Sequence, residues 1–151
     1  MGDAMELSLT EKQMTDAIIA HGIRPSLQRV LIYSYLCKNP IHPTVDTVYT
    51  ALMPSIPTLS KTTVYNTLKL FCQHNLVQTL TIENDELRYD ADLKDHLHFK
   101  CTHCGQVYDV PYTKTTETYD TFKNQLPGHF IASKVQTCIW GTCAHCNHDT
   151  I

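Results

Sequence analysis

The stretch SKTTVYNTLKLFCQ, residues 60–73, decides the fold of the first half of this chain. Val64, Leu68 and Phe71 recur at the spacing of one helix face, and Ser60 stands where a side-chain oxygen caps a first turn. Lys61, Thr62, Thr63, Tyr65 and Asn66 then fall on the early, outward part of that helix. Upstream, Pro54 and Pro57 bracket a turn. HPT (42–44) leads into a helix with Val45, Val48, Tyr49 and Leu52 on one side, and Ser26 precedes another bearing Leu27, Val30, Leu31 and Tyr35. TEKQ (10–13) has capping-box spacing, so a first helix carrying Met14, Ala17 and Ile18 is expected to start there and stop at Gly22. Downstream, LVQTLTI (76–82) and LRYD (87–90) are β-prone runs around the polar turn ENDE, a hairpin pattern. Helices followed by a two-stranded hairpin outline a winged helix, a relative of the helix-turn-helix.

Beyond residue 90 the rhythm changes. HLHFK and QVYDV read as strands flanking CTHCG, residues 113–125 as a polar helix ended by LPG, and FIASKVQTCIW (130–140) as a further strand before GTCAHC. The expectation is an α+β chain with a winged-helix domain and hinge over 1–90 and a second α/β domain over 91–151. The 151 residues are 42% hydrophobic, enough for packed cores. Charge is uneven: residues 1–82 hold six Lys/Arg against five Asp/Glu, and 83–151 hold six against ten. The first half is therefore the one suited to approach a phosphate backbone. No apolar run reaches the ~20 residues of a membrane span, and MGDAMELSLTEK lacks the regions of a secretory signal, so a cytoplasmic protein without a membrane partner is expected.

Seven cysteines, an odd number, argue against a simple disulfide framework. Four form two C-x-x-C pairs, Cys101/Cys104 and Cys143/Cys146, whose thiolates suit a closed tetrahedral zinc site. Redox dithiols and four unconnected buried thiols are the competing readings. His103 and His145, inside the pairs, would be spectators. Cys37, Cys72 and Cys138 are isolated, and Cys138 is expected to be an interior strand thiol. His96 and His98, two apart on a strand, offer two imidazoles to one side, the competing reading being an exposed histidine pair.

Taken together, GIRPSLQR, HPTVDTVYTAL, PTLSKTTVYNTLKLF, LRYD, DHLHFKCTHCGQVYD and WGTCAHC resemble, in that order, the ferric uptake regulator (Fur) superfamily of bacterial metal-dependent repressors. Within it the pattern looks most like the peroxide-sensing PerR branch. The resemblance implies an N-terminal winged-helix DNA-binding domain, a C-terminal dimerisation domain and a palindromic double-stranded DNA operator read by a homodimer. It implies structural Zn2+ on Cys101, Cys104, Cys143 and Cys146. A regulatory Fe2+ or Mn2+ would fall on His42, Asp90, His96, His98 and Asp109. Three imidazoles and two carboxylates suit those metals better than a soft ion. In the peroxide-sensing branch a histidine ligand is oxidised, here His42 or His96, and repression is relieved. Asp109 favours that branch over iron-responsive members, many of which carry Glu. Leu97 interrupts the His-Asp-His run those members use for an additional site, and Lys134 and Val135 stand where its later histidine would be, so no third site is expected. His129 then reads as a surface histidine.

On DNA, Tyr65 would pack on a thymine methyl, Asn66 bond adenine, and Lys61 meet phosphate or guanine, with Thr62 and Thr63 beside them. Arg24 and Arg29 are candidate backbone contacts, Arg24 by way of a minor groove. Packing of Tyr65 into the core is the plain alternative. No enzyme is expected: a zinc hydrolase would want an H-E-x-x-H helix, which is missing. A redox chaperone and, within the family, a metal-uptake regulator without peroxide sensing are the remaining alternatives.

Overall fold

Ser26, Thr44 and Ser60 each accept a hydrogen bond from the backbone N–H three residues on, and a helix begins after each: α2 (Leu27–Lys38), α3 (Val45–Leu52) and α4 (Lys61–Gln73). In this computed structural model the described residues are 2–83, 85–94, 96–111 and 122–148, with side chains described from residue 11 onward. The first helix, α1 (Gly2–Ala20), differs from expectation, since it starts upstream and leaves Thr10 in its interior. Ala4, Met5, Glu6 and Leu7 are good helix formers, so the helix propagates through the capping-box pattern. It ends at Gly22, whose left-handed backbone (φ +75) lets the Ile23 N–H bond the Ile18 carbonyl.

Two compact units divide the chain, Met1–Leu93 and Lys94–Ile151. In the first, β1 (Gln78–Leu80) and β2 (Arg88–Asp90) pair antiparallel with Thr79 opposite Tyr89. Ile18, Ile32, Val48, Val64, Leu68, Phe71, Val77 and Tyr89 form a buried core under the helices. At about 25 cal/mol per Å² of apolar surface, each such side chain contributes roughly 1.5–3 kcal/mol. This is the winged helix read from the sequence.

The second unit is a three-stranded sheet in the order β4-β3-β5. Its strands are β3 (His96–Cys101), β4 (Val107–Pro111) and β5 (Cys138–Gly141). β4 pairs antiparallel with β3, and β5 pairs with it in parallel. The strand expected over 130–140 is shorter than read. Residues 130–137 are irregular because β3 offers β5 only the edge from His98 to Cys101, and Phe130 and Ile131 are left exposed. Of the helix expected over 113–125, residues 113–121 lie outside the described residues, and 122–124 are helical. Among the described residues of this unit, the buried apolar side chains are Cys101, Val107 and Cys143. So thin a core needs another source of stability. Among the described residues, no helix is long and apolar enough to cross a membrane.

Candidate metal centres and nucleic-acid face

The parallel pairing of β5 with β3 sets Cys101 opposite Gly141 and so returns the second C-x-x-C pair to the first. Thr102 tightens the join by donating to the Gly141 carbonyl from both its N–H (2.8 Å) and its hydroxyl (3.2 Å). Each pair sits in a tight turn: the Gly105 N–H bonds the Cys101 carbonyl, and the Cys146 N–H bonds that of Cys143. Gly105 takes φ +77, a conformation a side chain would strain. The four sulfurs lie within 4.8 Å of one another, and all four cysteines are free thiols. The Cys104 and Cys143 sulfurs are 3.9 Å apart, close to the ~3.8 Å that a tetrahedral Zn–S bond of ~2.3 Å requires.

Electrostatics around the sulfurs also fit an ion. Backbone N–H groups of Cys104 (3.5 Å) and Cys143 (3.3 Å) donate to Cys101 Sγ. These bonds favour the thiolate and draw its pKa down to about 6. The Tyr108 hydroxyl, donating to Cys143, lowers that thiol as well, and is itself pushed up to about 12. Burial and the neighbouring thiols drive Cys146 up to about 12. Tyr108 was not singled out by its sequence, since its role depends on a contact 35 residues away.

On the same sheet, His96 and His98 turn to one side, and His98 sits directly opposite Asp109 in the β3–β4 register. The two Nε2 atoms are 2.9 Å apart, and Asp109 Oδ1 lies 3.1 Å from His96 Nε2 and 3.6 Å from His98 Nε2. His96 Nδ1 donates to the Lys94 carbonyl (2.6 Å), which leaves Nε2 as the atom with a lone pair to offer. His98 is buried, so the pair is not a pair of surface histidines.

In the first unit, His42 and Asp90 are both buried, with Nε2 3.4 Å from Oδ2. The strand β2 brings them together: the Tyr89 N–H bonds the Pro43 carbonyl (3.0 Å), and Asp90 Oδ1 accepts from the Asp92 N–H (2.8 Å). His42 adopts φ +54, uncommon for a non-glycine residue.

Arg24, Arg29, Thr63 and Asn66 line one open groove of about 510 Å³ between the start of α2 and α4. Arg29 Nη1 donates to the Arg24 carbonyl (2.7 Å), and Thr63 Oγ1 is engaged with Ser60 Oγ (2.9 Å). Tyr65 is 46% exposed, so it is not a core residue. Lys61 and Thr62 are exposed outside the groove lining, and Lys61 Nζ is ion-paired with Asp46 (2.9 Å). His103, His129 and His145 are exposed. Cys138 is half-buried rather than interior, because β5 is an edge strand.

A family model described as the ferric uptake regulator family matches residues 20–131. The peroxide operon regulator of Bacillus subtilis (strain 168) is 34% identical over 139 residues, covering 90% of this chain and 92% of that relative. Among solved structures, PerR from Streptococcus pyogenes, studied for peroxide sensing and gene regulation, is 26% identical with a TM-score of 0.50, over 91% of this chain and 92% of its own. The Helicobacter pylori ferric uptake regulator shares the fold at 20% identity, with a TM-score of 0.67 over 96% of each chain. The fold class is accordingly α+β, an N-terminal winged-helix domain followed by a C-terminal α/β domain.

Proposed function

Since this chain belongs to the ferric uptake regulator family, a family of metal-dependent transcriptional regulators, we propose that it is a peroxide-responsive repressor that binds a palindromic operator as a homodimer. The observation that carries the reading is the character of the donor sets. His42 with Asp90 in the first unit, and His96 and His98 with Asp109 in the second, offer imidazole nitrogen and carboxylate oxygen only. One Fe2+ or Mn2+ would take all five, while Zn2+ holds the four cysteines as a structural ion. Ligands drawn from both units make the metal a means of favouring one DNA-competent arrangement by its differential affinity for it.

Fe2+ held by these residues would supply one-electron chemistry toward peroxide, with the electron lent to H2O2 recovered from the ring. The balance would be one H2O2 consumed, one oxygen atom inserted at an imidazole C–H bond of His42 or His96, one water released and iron unchanged overall. The oxidised ring carries hydrogen on both nitrogens and no longer offers a lone pair, so the clamp opens and repression ends. Asp109 and the 34% identity to a peroxide operon regulator support this over metal-uptake control.

DNA would be met by α4 through Lys61, Thr62, Thr63, Tyr65 and Asn66, with Arg24 and Arg29 on the backbone. The groove that joins four of these residues supports that assignment. In the second unit Phe122, Leu126, Phe130 and Ile131 form an exposed apolar surface, which a second copy would cover about a two-fold axis.

Peptide mass spectrometry of Fe2+-loaded protein after brief peroxide treatment, beside Mn2+-loaded protein, tests the reading. One added oxygen on the His42 or His96 peptide, with iron only and with loss of DNA binding, is the expected result. Unmodified histidines with retained DNA binding would leave a metal-uptake regulator instead.

A further inference from the structure

Arg88 lies two residues before Asp90 on β2, and its guanidinium spans two places. Nη1 donates to the His42 carbonyl (3.2 Å), while Nε and Nη2 both donate to Glu83 Oε1 (3.0 and 2.8 Å) at the hairpin turn. The Arg88 and Glu83 side chains are only 19% and 20% exposed, so solvent and salt screen this pair less than a surface one. His42 is a residue in need of an anchor, because its left-handed backbone (φ +54) is buried and costs strain. The next carbonyl, that of Pro43, accepts from the Tyr89 N–H, and the His42 ring faces Asp90. Three consecutive residues of β2 therefore grip one two-residue segment.

We infer that Arg88 is a positioning residue that couples the hairpin of the winged helix to His42. This rests on the reading of His42 as a metal ligand. Glu83 fixes two arms of the guanidinium fork, and the planar geometry then aims the third at His42. Hairpin turn and ligand thus share one rigid group. Fixing His42 on an ion orders the hairpin, and an ordered hairpin raises metal affinity by the same factor, because coupling is reciprocal.

The test uses the full-length protein, with Mn2+ affinity read by competition against a fluorescent chelator and amide exchange followed over residues 78–90. Arg88→Gln is expected to lose about tenfold or more in affinity, the range for residues that orient a ligand. It should also lose the Mn2+-dependent protection of 78–90 while keeping that of 96–98. Arg88→Lys keeps the charge without the fork and should restore neither. If Arg88→Gln does not fold, Glu83→Gln, which releases the aim of Arg88, should move both readouts the same way by a smaller factor. Affinity within twofold of wild type with unchanged protection, in whichever variant folds, overturns the inference. His42→Ala separates the two levels. If it binds Mn2+ as tightly as wild type, the ligand reading falls and the coupling with it; if it weakens binding while Arg88→Gln does not, the coupling alone falls.

Discussion

The Nε2 atoms of His96 and His98 face each other at 2.9 Å. His96 commits its Nδ1–H to the Lys94 carbonyl, and the spacing of the two Nε2 atoms is that of neighbouring ligands on one ion, whose bonds of ~2.1 Å at a right angle set nitrogens about 3 Å apart. His96→Ala and His98→Ala should therefore each weaken Mn2+ binding by about tenfold or more, read by competition against a fluorescent chelator. Affinity within twofold of wild type in either variant would remove that ring from the site.

Asp109 reaches the two imidazoles from the strand position directly opposite His98, so its length is matched to the cross-strand gap. Asp109→Glu adds one methylene and must fold back to reach the same point. Mn2+ affinity should fall by no more than about tenfold, since the donor type is unchanged. Histidine oxidation by peroxide in the Fe2+ form should fall further than that. Mass spectrometry of the two proteins side by side decides it, and equal oxidation in both would remove Asp109 as the determinant of peroxide response.

Zinc binding by the four cysteines should weaken as pH falls, with a break. Cys101, held down to about 6, is already a thiolate at neutral pH, whereas Cys146, driven up to about 12, must surrender a proton to the metal. Below pH 6 Cys101 becomes a further group that must be deprotonated, so each unit of acidification should cost about one more factor of ten than it does above. Chelator competition across pH 5–8 measures the slope. A constant slope through pH 6 would show that the backbone N–H groups do not hold Cys101 as a thiolate. Full removal of zinc should unfold the second unit while the helical unit keeps its own melting transition, because Val107 is its one buried aliphatic side chain among the described residues.

Lys61 is restrained by Asp46 on α3 and lies 5.7 Å from the Tyr49 ring centre, so part of its charge is already answered before DNA arrives. Asp46→Asn should raise affinity for non-specific duplex and steepen the salt dependence by up to about 0.9 in the slope of log K against log salt. Asn66→Ala should instead weaken the operator alone, by about 1–3 kcal/mol, and leave the slope unchanged. Fluorescence anisotropy over a salt series separates the two. A slope change in Asn66→Ala would mark it as a phosphate contact rather than a base reader.

Helix starts at Ser26, Thr44 and Ser60 are legible in the sequence because a cap is a three-residue interaction. The start of α1 is not, because TEKQ has cap spacing but its upstream neighbours favour helix just as strongly. FIASKVQ reads as strand from its apolar content, yet a strand needs an edge to pair with, and the ladder to β3 begins only at Cys138, opposite His98. The residue types of the candidate metal sites stand out by spacing, since H-x-H and C-x-x-C are short-range patterns. Arg88 and Tyr108 do not: each acts on a residue at least 35 positions away, and neither carries a local pattern that announces it.

The parallel pairing of β5 with β3 also sets an order of events during synthesis. β3 and β4 can form their hairpin early, but β5 is made roughly forty residues after β3, several seconds later at ordinary elongation rates. Throughout that interval one edge of β3, the strand bearing His96 and His98, is an open row of backbone donors and acceptors, able to pair with a strand of a neighbouring nascent chain. Pairing of β5 closes that edge, and the turn that follows it brings Cys143 and Cys146 to the first cysteine pair. The unit is thus completed only by the last strand to be made, and a zinc ion on the four cysteines, as proposed above, would be what keeps that edge closed.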